Sequence, residues 1–430
     1  MDFLTIQNCM KKLARVLMIA FLSAVIGLQC RHREKWSEEK LSELQALFNS
    51  KNYFVLKESL KDKLDSNLPI ILYYKAAVES AFNNPEKSNQ LLDQMLDINP
   101  LPDSLLADNW MMKMNNFLRL HAYSDALHAA DRWLQIPDLP VEKEEDVRNT
   151  RIIVDALKNI PPQRIKKYGD SDLKLKGTHI DVAIHNHQRD YAFDTGANYS
   201  ILMFSEAKGL GLKIIKAGFD VETVTGKTVK GDIAVADSLK IGNMKFSNVV
   251  FLVFPDEALT FPGGFQLRGV IGFPVLEAMG ELQFRNGKIF VPQDTPDRGI
   301  QNLALENLTP LIEFSYRGEQ LIGRFDSGAD KSVFYEPFFR RYFSNTVEPS
   351  EIDTIKSGGV GGIVAHPVYK LRNITIEIAD TLLTIDSTYV HTTVLGKLSD
   401  NYLYANIGLD ILNRFEQYIL NFKEMAFIIE

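Results

Sequence analysis

Apolar and polar residues alternate most strictly in the C-terminal part of the chain. In Thr178-His179-Ile180-Asp181-Val182-Ala183-Ile184 every second side chain faces one way. His185-Asn186-His187-Gln188 breaks the run, and Tyr191-Ala192-Phe193 resumes it. Residues 311–316, a turn at Arg317-Gly318-Glu319 and residues 321–325 repeat that plan. A period of two around a short polar turn predicts a β-hairpin in each place. A further hairpin is predicted over residues 221–229, turning at Gly226, and closing strands over Lys288–Val291 and Ala426–Ile429. Short helices are predicted at 274–279 and 410–415, with little other helix in this part.

Between residue 34 and about residue 160 the apolar period becomes helical, with Leu41, Leu44, Leu47 and Phe48 on one face. Residues 48–53, 82–86 and 120–124 read as turns between paired helices, and their spacing in the mid-thirties resembles tetratricopeptide-type repeats. Tyr73, Tyr74, Trp110 and Trp133 are then core residues between stacked helices, and Pro161-Pro162 marks the linker to the β part. Upstream, Lys11, Lys12 and Arg15 precede the apolar run 16–28, which is short for a membrane span and suits an export signal. Cys30 closes that run and resembles the acylated cysteine of a bacterial lipoprotein, although Gln29 stands where that pattern has a small residue. Cys9 and Cys30 are the only cysteines, so no disulfide is expected in the exported protein. Together these features predict a protein of the bacterial cell envelope, periplasmic or outer-membrane-anchored, held to the membrane through its N-terminus.

The two predicted hairpins end on the same phrase, Asp194-Thr195-Gly196-Ala197 and Asp326-Ser327-Gly328-Ala329, preceded by Phe193 and Phe325. Apolar residues follow each copy, and an apolar-apolar-Gly segment lies at a matching distance downstream: Val270-Ile271-Gly272 and, with Asn406 in the first place, Asn406-Ile407-Gly408. A lone Asp-Thr-Gly is usually only a turn; duplication with matched glycines points to chemistry. The pattern over residues 170–430 resembles the aspartic proteases of the pepsin and retropepsin kind. It implies Asp194 and Asp326 as the catalytic pair, supported by Thr195, Gly196, Ser327, Gly328, Gly272 and Gly408. Two carboxyls held together cannot both ionise cheaply, so one keeps a proton while the other activates a water. The resemblance departs at Asn198, which stands where the second copy has Asp330. Because one chain carries both motifs, a monomer is expected.

Such a cleft needs a cover. The hairpin at Gly226 and the segment with Gly358, Gly359, Gly361 and Gly362 occupy matching places after the two motifs and are the flap candidates. A phosphate-binding loop is the rival for the second, but neither a P-loop nor a dinucleotide-binding spacing accompanies it. The histidines show no metal-site spacing, and His185 and His187 read as an exposed turn.

The 430-residue chain carries a net charge of −7 and no basic stripe, which argues against nucleic-acid binding. The fold expected is α + β and multidomain: a signal peptide over 1–30, an all-α helical-repeat domain over 31–160, and two mainly-β acid-protease-like lobes over 161–298 and 299–430. The function expected is that of an exported aspartic endopeptidase acting on a peptide or protein substrate, without cofactor or metal. A protein partner is expected for the helical domain. The alternatives are an inactive peptide-binding module of the same fold, or an envelope scaffold working through its helical repeats.

Overall fold

The structure, a computed structural model, describes residues 37–61, 68–98, 100–222, 228–344, 352–394 and 402–430. The export segment with Cys30 and the turn with Gly226 lie outside these residues.

Among the described residues, seven helices precede the β part: Glu38–Asn49, Tyr53–Ser59, Pro69–Ala81, Pro85–Leu96, Asp103–Arg119, Tyr123–Trp133 and Val141–Leu157. Ser37 and Asn52 cap the first two through side-chain oxygens, and proline opens the third and fourth, where its missing N–H costs nothing. The turns at 48–53, 82–86 and 120–124 share one geometry. Lys51, Asn83 and His121 adopt φ of 52°, 62° and 53°. The N–H of the next residue then bonds back to Leu47, Glu79 or Phe117 at 3.0, 2.8 and 2.8 Å. A left-handed residue that reverses the chain and satisfies the helix's last carbonyls is a common way to end a helix. Tyr73, Tyr74, Trp110 and Trp133 are buried, as their place between helices predicts.

The chain then passes Pro161-Pro162 and becomes β. In the ten-stranded sheet the hairpin His179–Ile184 and His187–Phe193 is followed, in spatial order, by Gly269–Ile271, Ser200–Met203, Val249–Phe254, Thr228–Ala236 and Ile214–Glu222. In the eight-stranded sheet Thr309–Tyr316 and Glu319–Phe325 are followed by Leu403–Ile407, Val333–Phe334, Thr381–His391, Gly362–Ile378 and Ile352–Gly359. The order of these strands is identical, and so are the parallel pairings: the strand entering each motif runs beside its apolar-apolar-Gly strand. The predicted helices appear as Phe273–Ala278 and Leu409–Leu412. The second is shorter than its sequence pattern because its last residues tighten into i→i−3 turns, Arg414 N–H donating to Ile411 O at 3.0 Å and Phe415 N–H to Leu412 O at 3.3 Å.

A third sheet joins the two halves. Its order is Ser171–Lys174, Lys288–Val291, Glu281–Arg285, Gln417–Asn421 and Ala426–Ile429. At the seam Phe284 lies opposite Tyr418, with stacked rings 4.5 Å apart. Glu281, fully buried and opposite Asn421, accepts from Arg298 Nε and Nη2 at 2.8 and 2.5 Å, Gln283 Nε2 at 2.6 Å and Asn421 Nδ2 at 2.9 Å. Burial raises its pKa, but the hydrogen bonds from Arg298, Gln283 and Asn421 outweigh burial and bring it below the ordinary value. A buried carboxylate with a lowered pKa stabilises the fold above its unfolded pKa, and loses that contribution as pH falls through the folded one. Glu281→Ala should cost about 3 kcal/mol at neutral pH, because it strands Arg298. Denaturation of Glu281→Gln across pH should show its deficit against wild type shrinking below the ordinary value of 4.5.

Candidate active site

Each motif aspartate leaves a central strand under the same restraint. Asp194 N–H donates to Ile271 O at 3.1 Å, and Asp326 N–H to Ile407 O at 3.0 Å. Each chain then turns so that the carboxylate accepts from the glycine two residues on: Gly196 N–H at 2.7 Å and Gly328 N–H at 3.0 Å. The downstream glycines support these turns from below. Gly272 and Gly408 N–H donate to Ser200 and Ser332 at 3.1 and 2.8 Å. A Cβ at Gly272 would lie 2.4 Å from the Tyr199 carbonyl, and at Gly408 2.6 Å from Ala329 O, so only glycine lets the backbones approach this closely.

The two turns meet through their middle residues. Thr195 N–H donates to Ser327 Oγ at 3.1 Å, and Ser327 N–H to Thr195 Oγ1 at 2.9 Å. Each hydroxyl then donates across the interface, Thr195 to Phe325 O at 3.4 Å and Ser327 to Phe193 O at 3.2 Å. Both residues are buried. This exchange sets each glycine against the opposite acid. A Cβ at Gly328 would lie 2.3 Å from Asp194 Cγ, and one at Gly196 2.6 Å from Asp326 Oδ1.

Across this junction the Asp194 and Asp326 carboxyls are close enough for each other's charge to matter. Burial and then the charge of Asp326 push the Asp194 pKa up to about 7, against the pull of Arg324 and the Gly196 N–H. Asp194 therefore tends to hold a proton at pH values where an ordinary carboxyl has lost it.

Two residues here escaped the sequence reading. Asn406 Nδ2 donates to Asp326 Oδ2 at 3.0 Å, and Arg324 Nη2 lies 3.9 Å from that oxygen while also donating to Gly196 O. Burial disfavours the Arg324 charge, but Asp326, Tyr335 and Asp194 outweigh burial and raise its pKa. The available signal was a comparison of the two copies, since the first has Ala192 and Val270 where the second has Arg324 and Asn406.

Gly358, Gly359, Gly361 and Gly362 lie at the tip of the hairpin formed by Ile352–Gly359 and Gly362–Ile378, where Gly359 pairs with Gly362. Gly361, at φ 91°, donates its N–H across to Ala258 O in the first β half at 2.9 Å. The matching hairpin, Ile214–Glu222 with Thr228–Ala236, is longer than predicted, and its tip with Gly226 lies outside the described residues. Asn198, the departure from the motif, accepts from Thr309 Oγ1 at 3.3 Å. His185 pairs with Asp237 at 2.5 Å, and His187 is exposed. Among the described residues no cluster of His, Cys, Asp and Glu could hold a metal ion, and no helix is long and apolar enough to cross a membrane.

Residues 180–275 match the aspartyl protease family model, which supports an aspartic protease. The matched stretch contains Asp194, Thr195, Gly196 and Gly272; the second motif lies beyond it. Among solved structures, a retropepsin-like aspartic protease from Rickettsia conorii is similar at 19% identity, over 30% of this chain and 92% of that chain, with a TM-score of 0.23. No curated protein matches the chain.

Thr195→Val keeps the volume of the side chain but leaves the buried Ser327 N–H without its acceptor. It should cost about 1–3 kcal/mol in chemical denaturation.

Proposed function

We propose that the chain is a two-lobed aspartic endopeptidase, exported to the cell envelope, that cleaves an extended peptide across the junction of its two β halves. One observation carries the reading: the Asp194 and Asp326 turns are bound to each other by the reciprocal Thr195–Ser327 exchange, which sets each motif glycine against the opposite carboxyl. The repeated strand order and the family match over residues 180–275 support it. In this mechanism a water sits between the acids. The ionised carboxylate takes its proton as the oxygen attacks the scissile carbonyl carbon, and the protonated carboxyl donates to the carbonyl oxygen. Return of a proton to the amide nitrogen lets the C–N bond break and regenerates the pair.

The helical part serves as a tetratricopeptide-like platform for a protein partner, and Cys30 carries the lipid that tethers the protein. The three matching turns support the first assignment, and the apolar run 16–28 the second. Cys30→Ser should move the protein from the membrane fraction to the soluble envelope fraction.

Incubation with a peptide library from pH 3 to 8 tests the central claim. Asp194→Asn and Asp326→Asn should each lower kcat/KM on the order of 10³-fold or more, and a pepstatin-type inhibitor should block the wild type. Cleavage that survives either substitution refutes the mechanism. A folded wild type that binds peptides without cleaving them would be the inactive binding module instead.

A further inference from the structure

The duplication is broken at one cross-strand pair beside the acids. In the first half Ala192 lies opposite Val270; in the second, Arg324 lies opposite Asn406. Each pair sits two residues before its aspartate on one strand and two before its glycine on the other. The two acids therefore share a backbone frame and differ in their flanks. Asp194 accepts the Gly196 N–H and feels the charges of Asp326 and, less strongly, Arg324, which pairs with Asp326 rather than with it. Asp326 meets the Gly328 N–H on Oδ1, with the Asn406 amide and the Arg324 guanidinium on Oδ2.

Donors and a cation on one oxygen stabilise the charged form of that carboxyl selectively. On the reading of the site as an aspartic protease, we propose that Arg324 and Asn406 fix the negative charge on Asp326 and leave the shared proton on Asp194. Asp326 is then the group that takes the proton from the water, and Asp194 the group that donates to the carbonyl. In a symmetric pair the proton could sit on either acid; here one cross-strand substitution assigns the roles.

The other groups facing Arg324 do not compete for this task. Tyr335 lies near the guanidinium, and its own pKa is raised, by burial first, so it stays neutral. Tyr402 exerts only a weaker electrostatic influence on Arg324. Behind Tyr335 stacks His391, with ring centroids 6.1 Å apart; burial and then His366 lower its pKa to about 4, which keeps it uncharged at neutral pH. The Arg324 contact with Gly196 O reaches the opposite turn, so the same side chain also holds the first motif in place. The test must separate these two effects.

The full chain, labelled at aspartate 13Cγ, is titrated as wild type, Arg324→Met, Asn406→Val and Arg324→Lys, with Asp194→Asn and Asp326→Asn to assign the signals. In parallel, kcat/KM is measured against pH. The first ionisation of the pair should move to higher pH by roughly one pH unit or more in Arg324→Met, and by less in Asn406→Val. The acidic limb of the activity profile should move with it, and Arg324→Lys should restore most of the shift. The proposal is overturned if thermally intact variants leave the first ionisation unmoved. It is equally overturned if activity falls by the same factor at every pH, since a mere clamp on Gly196 would do that. A wild type without peptidase activity would end the protease reading, whereas the carboxyl titration decides the charge assignment by itself.

Discussion

Two hydroxyls hold the centre of this protein together. Thr195 and Ser327 each accept the other's backbone N–H and pass a proton donor on to the opposite strand, so four buried polar groups are satisfied only when both turns are present. Buried polar groups left without partners are costly, which makes the arrangement all-or-none. It also fixes where the acids go. With the turns locked, Gly196 and Gly328 face the opposite carboxyls at distances that a methyl group would not allow. The proximity of two acids that would otherwise repel is thus a consequence of hydrogen bonding one residue away.

The helical part is docked on the β part rather than strung from it. Tyr53 donates to Glu306, Asn83 Nδ2 to Phe422 O at 2.8 Å, and Asp220 N–H to Asn149 Oδ1 at 3.1 Å. Arg119, with 3% of its side chain exposed, lies 3.6 Å from Glu277 on the helix that follows Gly272. An ion pair in such surroundings contributes little net stability but penalises misplacement strongly. These contacts reach both β halves, so the helices constrain the frame that positions the acids.

Much of this was legible in the sequence because period and glycine report local geometry. The hairpins before Asp194 and Asp326 fall where alternation places them, and the closing strands Lys288–Val291 and Ala426–Ile429 keep their predicted bounds. The helix turns at Lys51, Asn83 and His121 were marked by their spacing. The strand Ser171–Lys174 was missed, since four residues with Asp172 and Lys174 on the exposed face carry too short a pattern. Arg324 and Asn406 were missed for another reason. Each looks unremarkable along its own strand, and their meeting at Asp326 depends on a parallel pairing between segments far apart in sequence.

The sequence by itself determined the local units: helices by their apolar face, hairpins by alternation, and two acidic turns by a phrase written twice. Those depend on steric and solvation rules acting over a few residues. Only the tertiary structure decided that the two turns exchange hydrogen bonds, that strands from both halves share one sheet, and that one acid is flanked by a cation and an amide while the other is not. Such facts rest on contacts between residues 80 to 140 positions apart, and no local pattern encodes which distant partner a side chain will meet.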